Sequence, residues 1–382
     1  MAFLPRSLAQ REAPCEAASQ KQTRSRAYLL QARRSWRYPF PQNMNTSDPQ
    51  RFRLLALDGG GINGTFTAAV LAAWEKDTGQ RVCEHFDLIT GTSTGGILAI
   101  GLGLGLPAER ILQFYREQGP RIFPVTRFTR RLTHTIQQLF RPKFSQPVLR
   151  AALADAFRAP DGRERLFGES RCRLLIPAYD TIRGRIFLFK TGHDERFRYD
   201  LDIPAADVAL ATAAAPTYFQ AARIRQHEGA GYVDGGVWAN NPALAGVVEA
   251  VHFLKVPLER LDVLSLGTTY APDSVRDLAG SGFAGWGTRI VRLLMNAQDE
   301  AAWKQAMLLV GRERFLRVDC LTRPGDYALD SVTEIDALAA LGRGKAVEKE
   351  ILEAVRTRFL NGVKVEPFVP VARPVVQPAG DQ

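Results

Sequence analysis

The chain lacks any apolar run of the roughly 18 residues that a bilayer-spanning helix requires. Its nearest approach, GILAIGLGLGL at Gly96–Leu106, is short and rich in glycine, and reads as a buried helix and its exit. Cysteine is scarce: Cys15, Cys83, Cys172 and Cys320 lie far apart with no CxxC pair, which argues against a disulfide framework and against a zinc site. A reducing, cytoplasmic compartment fits that usage best. There is no signal-peptide core and no internal repeat. Histidine is also thin, with five residues in all, so a histidine-based mechanism has few candidates.

What is present is the composition of a soluble globular protein, with 46% hydrophobic and 24% charged residues in a chain of 382. That length holds one large domain or two ordinary ones. The net charge of +10 implies attraction to polyanions, which include nucleic acid, anionic lipid and nucleotide, and does not choose among them. Residues 1–50 carry Arg6, Arg11, Lys21, Arg24, Arg26, Arg33, Arg34 and Arg37 against few acids and show no sustained apolar period. They are expected to form a disordered basic extension. A transit peptide is the alternative, and Met44 is a second candidate start.

From Arg51 onward, strand-like runs alternate with helical patterns. Strands are expected at Phe52–Leu57, Phe86–Thr90, Cys172–Tyr179, Arg185–Lys190, Tyr232–Val233 and Leu261–Leu266. Helices are expected at Thr65–Asp77, Gly95–Gly103, Pro107–Gln118, Gln146–Phe157, Ala205–Ala213 and Pro242–Leu254. Such alternation predicts an α/β fold with a mainly parallel sheet covered on both faces. The chain beyond about Gly285 reads as mostly helical, with Trp286–Val310 and Thr333–Phe359 the clearest segments.

Two glycine loops carry chemistry. Gly59–Gly64, GGGING, follows a strand and precedes a helix, and so satisfies the dinucleotide pattern GxGxxG. Asp58 immediately before it disfavours a pyrophosphate unless the carboxylate faces away, and the P-loop lysine is missing. Gly91-Thr92-Ser93-Thr94-Gly95 is a GxSxG between strand and helix, in which the flanking glycines allow a sharp turn that exposes the serine hydroxyl. A serine attacking a carbonyl creates an oxyanion, for which donors must be aimed in advance. Thr94 N–H is the first such donor, and Gly60 and Gly61 of the other loop supply the rest.

The serine needs a base. Among His85, His134, His193, His227 and His252, only His252 follows a candidate aspartate in the Ser, Asp, His order of a triad, and it lies mid-helix without a local motif. Asp234 is favoured instead. It stands in YVDGGVWANNP, where a short strand ends in aspartate and Gly235 and Gly236 permit a turn; desolvation would raise its pKa enough to accept a proton. Asp58 is the rival carboxylate, in a place suited to positioning the loop.

Thr126–Phe144, TRFTRRLTHTIQQLFRPKF, contains no acid and spaces Phe128, Leu132, Ile136, Leu139 and Phe140 at helical intervals, flanked by arginines that include Arg127, Arg130 and Arg131. It reads as either a helix packed on the domain or a foot on a membrane surface. Two further functional classes stand beside hydrolysis. They are a dinucleotide-binding oxidoreductase using GGGING, and a polyanion-binding module using the basic arm. Neither gives GTSTGG or DGGVWANNP a role.

At these residues the sequence resembles the patatin-like phospholipases, which are lipid acyl hydrolases. DGGGING at Asp58–Gly64 resembles their glycine loop, GTSTGG at Gly91–Gly96 their nucleophile motif, and DGGVWANNP at Asp234–Pro242 their aspartate motif. ATAAAPTYF at Ala211–Phe219 is similar to a further stretch typical of them. The resemblance implies a three-layer α/β/α fold with helical C-terminal additions. It also implies a dyad of Ser93 and Asp234, an oxyanion hole of Gly60, Gly61 and Thr94, a phospholipid substrate, and no metal or cofactor. The implied layout is a catalytic domain over 51–270, a mainly helical part packed on it over 271–365, and a flexible tail over 366–382. Asn63 departs from the family, which usually places arginine or lysine there. FDLITGTSTGGILAIGLGLG is similar to bacterial members, some of which are effectors of anti-phage signalling switched on by cyclic dinucleotides. That likeness implies a cyclic dinucleotide activator; a peripheral position at the membrane is expected from the Thr126–Phe144 stripe, and no specific nucleic-acid partner is expected.

Overall fold

The structure is a computed structural model that describes residues 51–124, 142–271, 280, 286 and 289–371. The expectations for the basic extension, for Arg127, Arg130 and Arg131, for His134 and for the tail beyond 371 lie outside those residues.

The strands are β1 (Phe52–Leu57), β2 (Leu88–Gly91), β3 (Arg173–Asp180), β4 (Arg185–Lys190), β5 (Ala222–Ile224), β6 (Ala230–Asp234), β7 (Leu261–Leu266) and β8 (Phe315–Val318). The helices are α1 (Gly64–Thr78), α2 (Thr94–Gly103), α3 (Ala108–Ile122), α4 (Gln146–Ala156), α5 (Ala205–Ala213), α6 (Gly236–Ala239), α7 (Ala243–His252), α8 (Arg289–Val310), α9 (Ile335–Ala346) and α10 (Lys349–Arg358). One sheet runs β5-β6-β3-β2-β1-β7-β8, with β4 also on β3. The pairs β3–β2, β2–β1, β1–β7 and β7–β8 are parallel, whereas β3–β4, β3–β6 and β5–β6 are antiparallel. The expected parallel arrangement therefore holds in the centre, and the sheet as a whole is mixed.

The run of apolar residues in β1 has a direct cause. Leu55 and Leu57 enter a core shared with Phe66 and Leu71 of α1, Leu98 of α2 and Leu338 of α9. Leu54 and Ala56 enter a second core with Val247 of α7 and Trp303 and Met307 of α8. Alternate side chains of a strand point to opposite faces, so a strand covered on both sides has no polar position to spare. This is the three-layer α/β/α arrangement. Among the described residues, no helix is long and apolar enough to cross a membrane.

Three elements were not expected from the sequence: β5, α6 and β8. The single helix expected over Thr333–Phe359 is two, because the chain leaves helical geometry at Val347–Glu348, where Glu348 takes an extended ψ of 123°. The edge strand β8 comes from beyond residue 270 and pairs with β7 throughout Val263–Leu266.

Candidate active site

The C-terminal ends of the central parallel strands carry the two glycine loops side by side. β1 hands the chain to Asp58 and the three glycines, and β2 hands it to Thr92 and Ser93. Ser93 sits at φ 55° and ψ −122°, outside the regions an L-residue ordinarily visits. Such strain is of the order of 1–3 kcal/mol and persists only where the surroundings hold it. Here its own N–H donates to Thr212 Oγ1 at 3.0 Å. Thr212 Oγ1 in turn donates to Pro177 O at 2.6 Å. Thr92 is fixed on the other side by its N–H to Leu57 O at 3.2 Å and its hydroxyl to Ala239 O at 2.6 Å. The glycines of GxSxG are steric necessities, since a Cβ at Gly91 would overlap the Gly95 carbonyl oxygen and one at Gly95 the carbonyl oxygen of Leu57.

Asp234 ends β6, where its N–H donates to Ala214 O at 3.0 Å. The carboxylate accepts the Gly236 N–H at 2.7 Å and lies close enough to the Ser93 hydroxyl for that group to draw its pKa down. Burial pushes its pKa up to about 6, against the pull of those two donors. The turn beyond it is tight: Gly235 N–H reaches Thr212 O, and a Cβ at Gly235 would overlap Pro177 O.

The glycine loop is pinned on either side of its centre. Gly59 N–H donates to Asn240 O at 2.9 Å, and Gly59 O accepts the Thr268 hydroxyl at 2.9 Å. Further on, Ile62 N–H donates to Leu329 O at 2.8 Å and Asn63 N–H to Gly60 O at 3.1 Å. Gly61 lies at φ 56°, and a Cβ there would overlap Leu329 O. The N–H groups of Gly60 and Gly61 meet no acceptor among the described residues. Thr94, the first residue of α2, has an N–H that the helix itself cannot satisfy, and it also meets none. Gly64 closes the loop by donating to Gly61 O and Ile62 O, and lies against the Thr94 side chain.

Behind the loop stands a buried charge cluster. Asp58 Oδ2 accepts from Arg317 Nη2 at 2.5 Å, and the same nitrogen donates to Asp319 at 2.7 Å. Arg317 Nη1 donates to Ser265 Oγ at 2.7 Å. Burial raises Asp58 to about 7 while Arg317 pulls the other way. Asn240 Nδ2 donates to Asp299 at 2.9 Å, and burial raises Asp299 to about 6. Asp58 thus faces Arg317 rather than Ser93. Asn63 is buried, and its side-chain oxygen meets no donor among the described residues.

The histidines go elsewhere. His252 is exposed at the C-terminal end of α7 and packs edge-on against Phe253. It stands nine residues beyond Ala243, or roughly 14 Å along the helix. The Ser-Asp-His alternative therefore gives way, because α7 carries its histidine away from the loops it begins beside. His193 bonds Glu249, His227 bonds Tyr232 and Asp200, and His85 meets Val363 O.

Four residues central to this geometry carried no role in the sequence reading: Thr212, Arg317, Tyr115 and Thr268. Thr212 lies within ATAAAPTYF, where a threonine in an alanine-rich helical run signals no side-chain partner. Tyr115 in α3 hydrogen-bonds both the hydroxyl of Thr94 and Thr94 O, and so fixes the residue that follows the serine. The arrangement as a whole offers a hydroxyl on a strained elbow, a buried carboxyl with a raised pKa beside it, and three N–H groups that meet no acceptor among the described residues. Acyl transfer is the chemistry those parts support.

Comparison with known proteins points the same way. The family model described as patatin-like phospholipase matches residues 55–247. The chain is 36% identical over 267 residues to a cGAMP-activated phospholipase of Pseudomonas aeruginosa, covering 69% of this chain and 77% of that protein. A protein of the same name from Vibrio cholerae is 34% identical over 328 residues, covering 78% and 91% of the two chains. One from Escherichia coli is 29% identical over 361 residues, covering 88% and 99%.

Proposed function

The chain belongs to the patatin-like phospholipase family, and from that premise we propose that it hydrolyses fatty-acyl esters of phospholipids through a dyad of Ser93 and Asp234. The observation that carries the reading is the Ser93 elbow set beside the buried Asp234 carboxyl, whose pKa burial raises to about 6 against the pull of the Ser93 hydroxyl. A carboxylate with that pKa is ionised at neutral pH and is a better proton acceptor than an exposed aspartate.

In the proposed reaction, Ser93 Oγ attacks the acyl carbonyl as its proton passes to Asp234. The carbonyl electron pair moves to the oxygen, where the N–H groups of Gly60, Gly61 and Thr94 receive it. Losing one such donor typically costs about 3 kcal/mol of transition-state stabilisation. Collapse expels the lysolipid, which takes the proton from Asp234, and leaves the acyl group on Ser93. Water then attacks, with Asp234 again accepting the proton. The second tetrahedral intermediate collapses, Asp234 returns that proton to the departing Ser93 Oγ, and free fatty acid leaves with the dyad restored. The GGGING loop gives an oxidoreductase little support, since Gly59 N–H is already engaged by Asn240 O.

A cyclic dinucleotide as activator is supported by the three bacterial relatives, each a cGAMP-activated phospholipase. Peripheral contact with the membrane, through the basic stripe at Arg127, Arg130 and Arg131, is part of the same reading. The test is fatty-acid release from phosphatidylglycerol vesicles by the full chain, with and without a panel of cyclic dinucleotides, beside Ser93→Ala and Asp234→Asn. Release that one dinucleotide stimulates and both variants lack is expected. Release retained in Ser93→Ala would overturn the assignment.

A further inference from the structure

The turn between β3 and β4 projects past the catalytic level of the sheet. Asp234 is in register with Ala178, and β3 continues to Asp180 before turning. Two further strand residues add roughly 7 Å, and the turn at 181–184 lies beyond them, on the edge that carries Ser93.

This turn is rigid and unusually greasy. Asp180 Oδ1 accepts the N–H groups of Ile182 and Arg183 at 2.9 and 3.0 Å, and Thr181 N–H and Oγ1 both donate to Gly231 O at 2.9 Å. On that frame Ile182 is 69% exposed and Ile186 is 53% exposed. Arg183 and Arg185 flank them, and Arg223 and Arg225 stand on the far side of β6, all four exposed. Ile224 of β5 is in register with Ala230 of β6, which brings Arg223 and Arg225 to the same end of the sheet. Arg183 is paired with Asp180, but Arg185, Arg223 and Arg225 make no ion pair among the described residues. Glu228, also exposed, is the acid set against them in the adjoining turn.

We propose that the β3–β4 turn and the neighbouring end of β5 form a docking surface for an anionic lipid bilayer, with Ile182 and Ile186 entering the interface and Arg185, Arg223 and Arg225 meeting the head groups. The proposal rests on the reading that the acyl substrate lies in a bilayer, which must then approach the edge of the sheet where Ser93 opens. Two bulky apolar side chains held out by a fixed turn, with unpaired cations at the same end of the sheet, match a layer that is apolar below and negative above. An aqueous small substrate would need neither.

The test uses the full chain carrying Ser93→Ala, so that binding is measured without turnover. Partition is read by co-sedimentation with phosphatidylcholine vesicles with and without phosphatidylserine. Each arginine near an anionic surface contributes about a fivefold gain in partition, so R185Q/R223Q/R225Q together should lose on the order of a hundredfold. The loss should shrink as salt is raised. I182S/I186S should weaken partition at every salt concentration, and R185K/R223K/R225K should retain it. With Ser93 restored, all of these variants should hydrolyse p-nitrophenyl butyrate at the wild-type rate, which also reports that they fold. Partition within twofold of wild type in both the glutamine and the serine variants would overturn the proposal. So would a change confined to self-association of the chain. Vesicle binding of this pattern without any fatty-acid release by the protein carrying Ser93, in the presence of every cyclic dinucleotide of the panel, would support the docking surface and refute the hydrolase reading instead.

Discussion

Replacing Arg317 with methionine tests whether the charge cluster behind the oxyanion loop is a structural requirement. The Arg317 side chain is 11% exposed and touches Asp58 and Asp319, which are 4% and 6% exposed. Methionine fills much of the volume but leaves both carboxyls without their cation. Removing one partner of a buried pair typically costs about 3–5 kcal/mol. That is a large part of the roughly 5–15 kcal/mol by which domains are stable. The pH dependence follows from Asp58, which burial holds at about 7, above its unfolded value. Below about 7 the folded state keeps that carboxyl protonated in both proteins, so the missing cation matters less. Above it, the wild type ionises Asp58 against Arg317, whereas the variant must keep the proton or bury an unpaired charge. The gap between the two should therefore widen with rising pH, by up to about 1.4 kcal/mol per unit. Urea unfolding followed by tryptophan fluorescence at pH 6 and pH 8.5 measures it. Equal stability at both pH values, or a gap that narrows toward pH 8.5, would refute the reasoning.

Other expectations are as direct. The rate kcat/KM for a soluble acyl ester should climb through an apparent pKa of about 6, because Asp234 must be ionised to accept the Ser93 proton; a profile flat from pH 5 to 8 contradicts this. Thr212→Val removes the acceptor of the Ser93 N–H and the donor to Pro177 O, at about 1–3 kcal/mol of stability, and should lower kcat at least tenfold, while Thr212→Ser restores both. Gly91→Ala forces a Cβ into the Gly95 carbonyl and should abolish activity together with several degrees of Tm, read by differential scanning calorimetry. Tyr115→Phe strips the hydroxyl from Thr94 and should slow acylation, seen in single-turnover kinetics, with about 1 kcal/mol lost in urea.

The central strands were legible because a strand buried on both faces has to be apolar throughout, as Leu54–Leu57 are. The elbow and the aspartate turn were legible for a related reason. Gly91, Gly95 and Gly235 lie where backbones approach too closely for any side chain, so the glycines mark the contact in the sequence itself. β8 escaped notice because FLRV is four residues long and carries an arginine, which looks like surface until Asp58 and Asp319 close on it. Thr212 and Tyr115 act through one hydroxyl each toward residues 119 and 21 positions away, and a threonine or tyrosine in a helical stretch announces no such partner. The antiparallel side of the sheet was equally hidden, since β5 is three residues long and its pairing with β6 rests on a turn of ordinary composition.

The dyad is tested most directly by labelling the full chain with a fluorophosphonate and mapping the modified peptide. The label should sit on Ser93 alone, at a rate that rises with pH through about 6 and collapses in Asp234→Asn. Labelling of another serine, or of Ser93 at an undiminished rate in Asp234→Asn, would contradict the account.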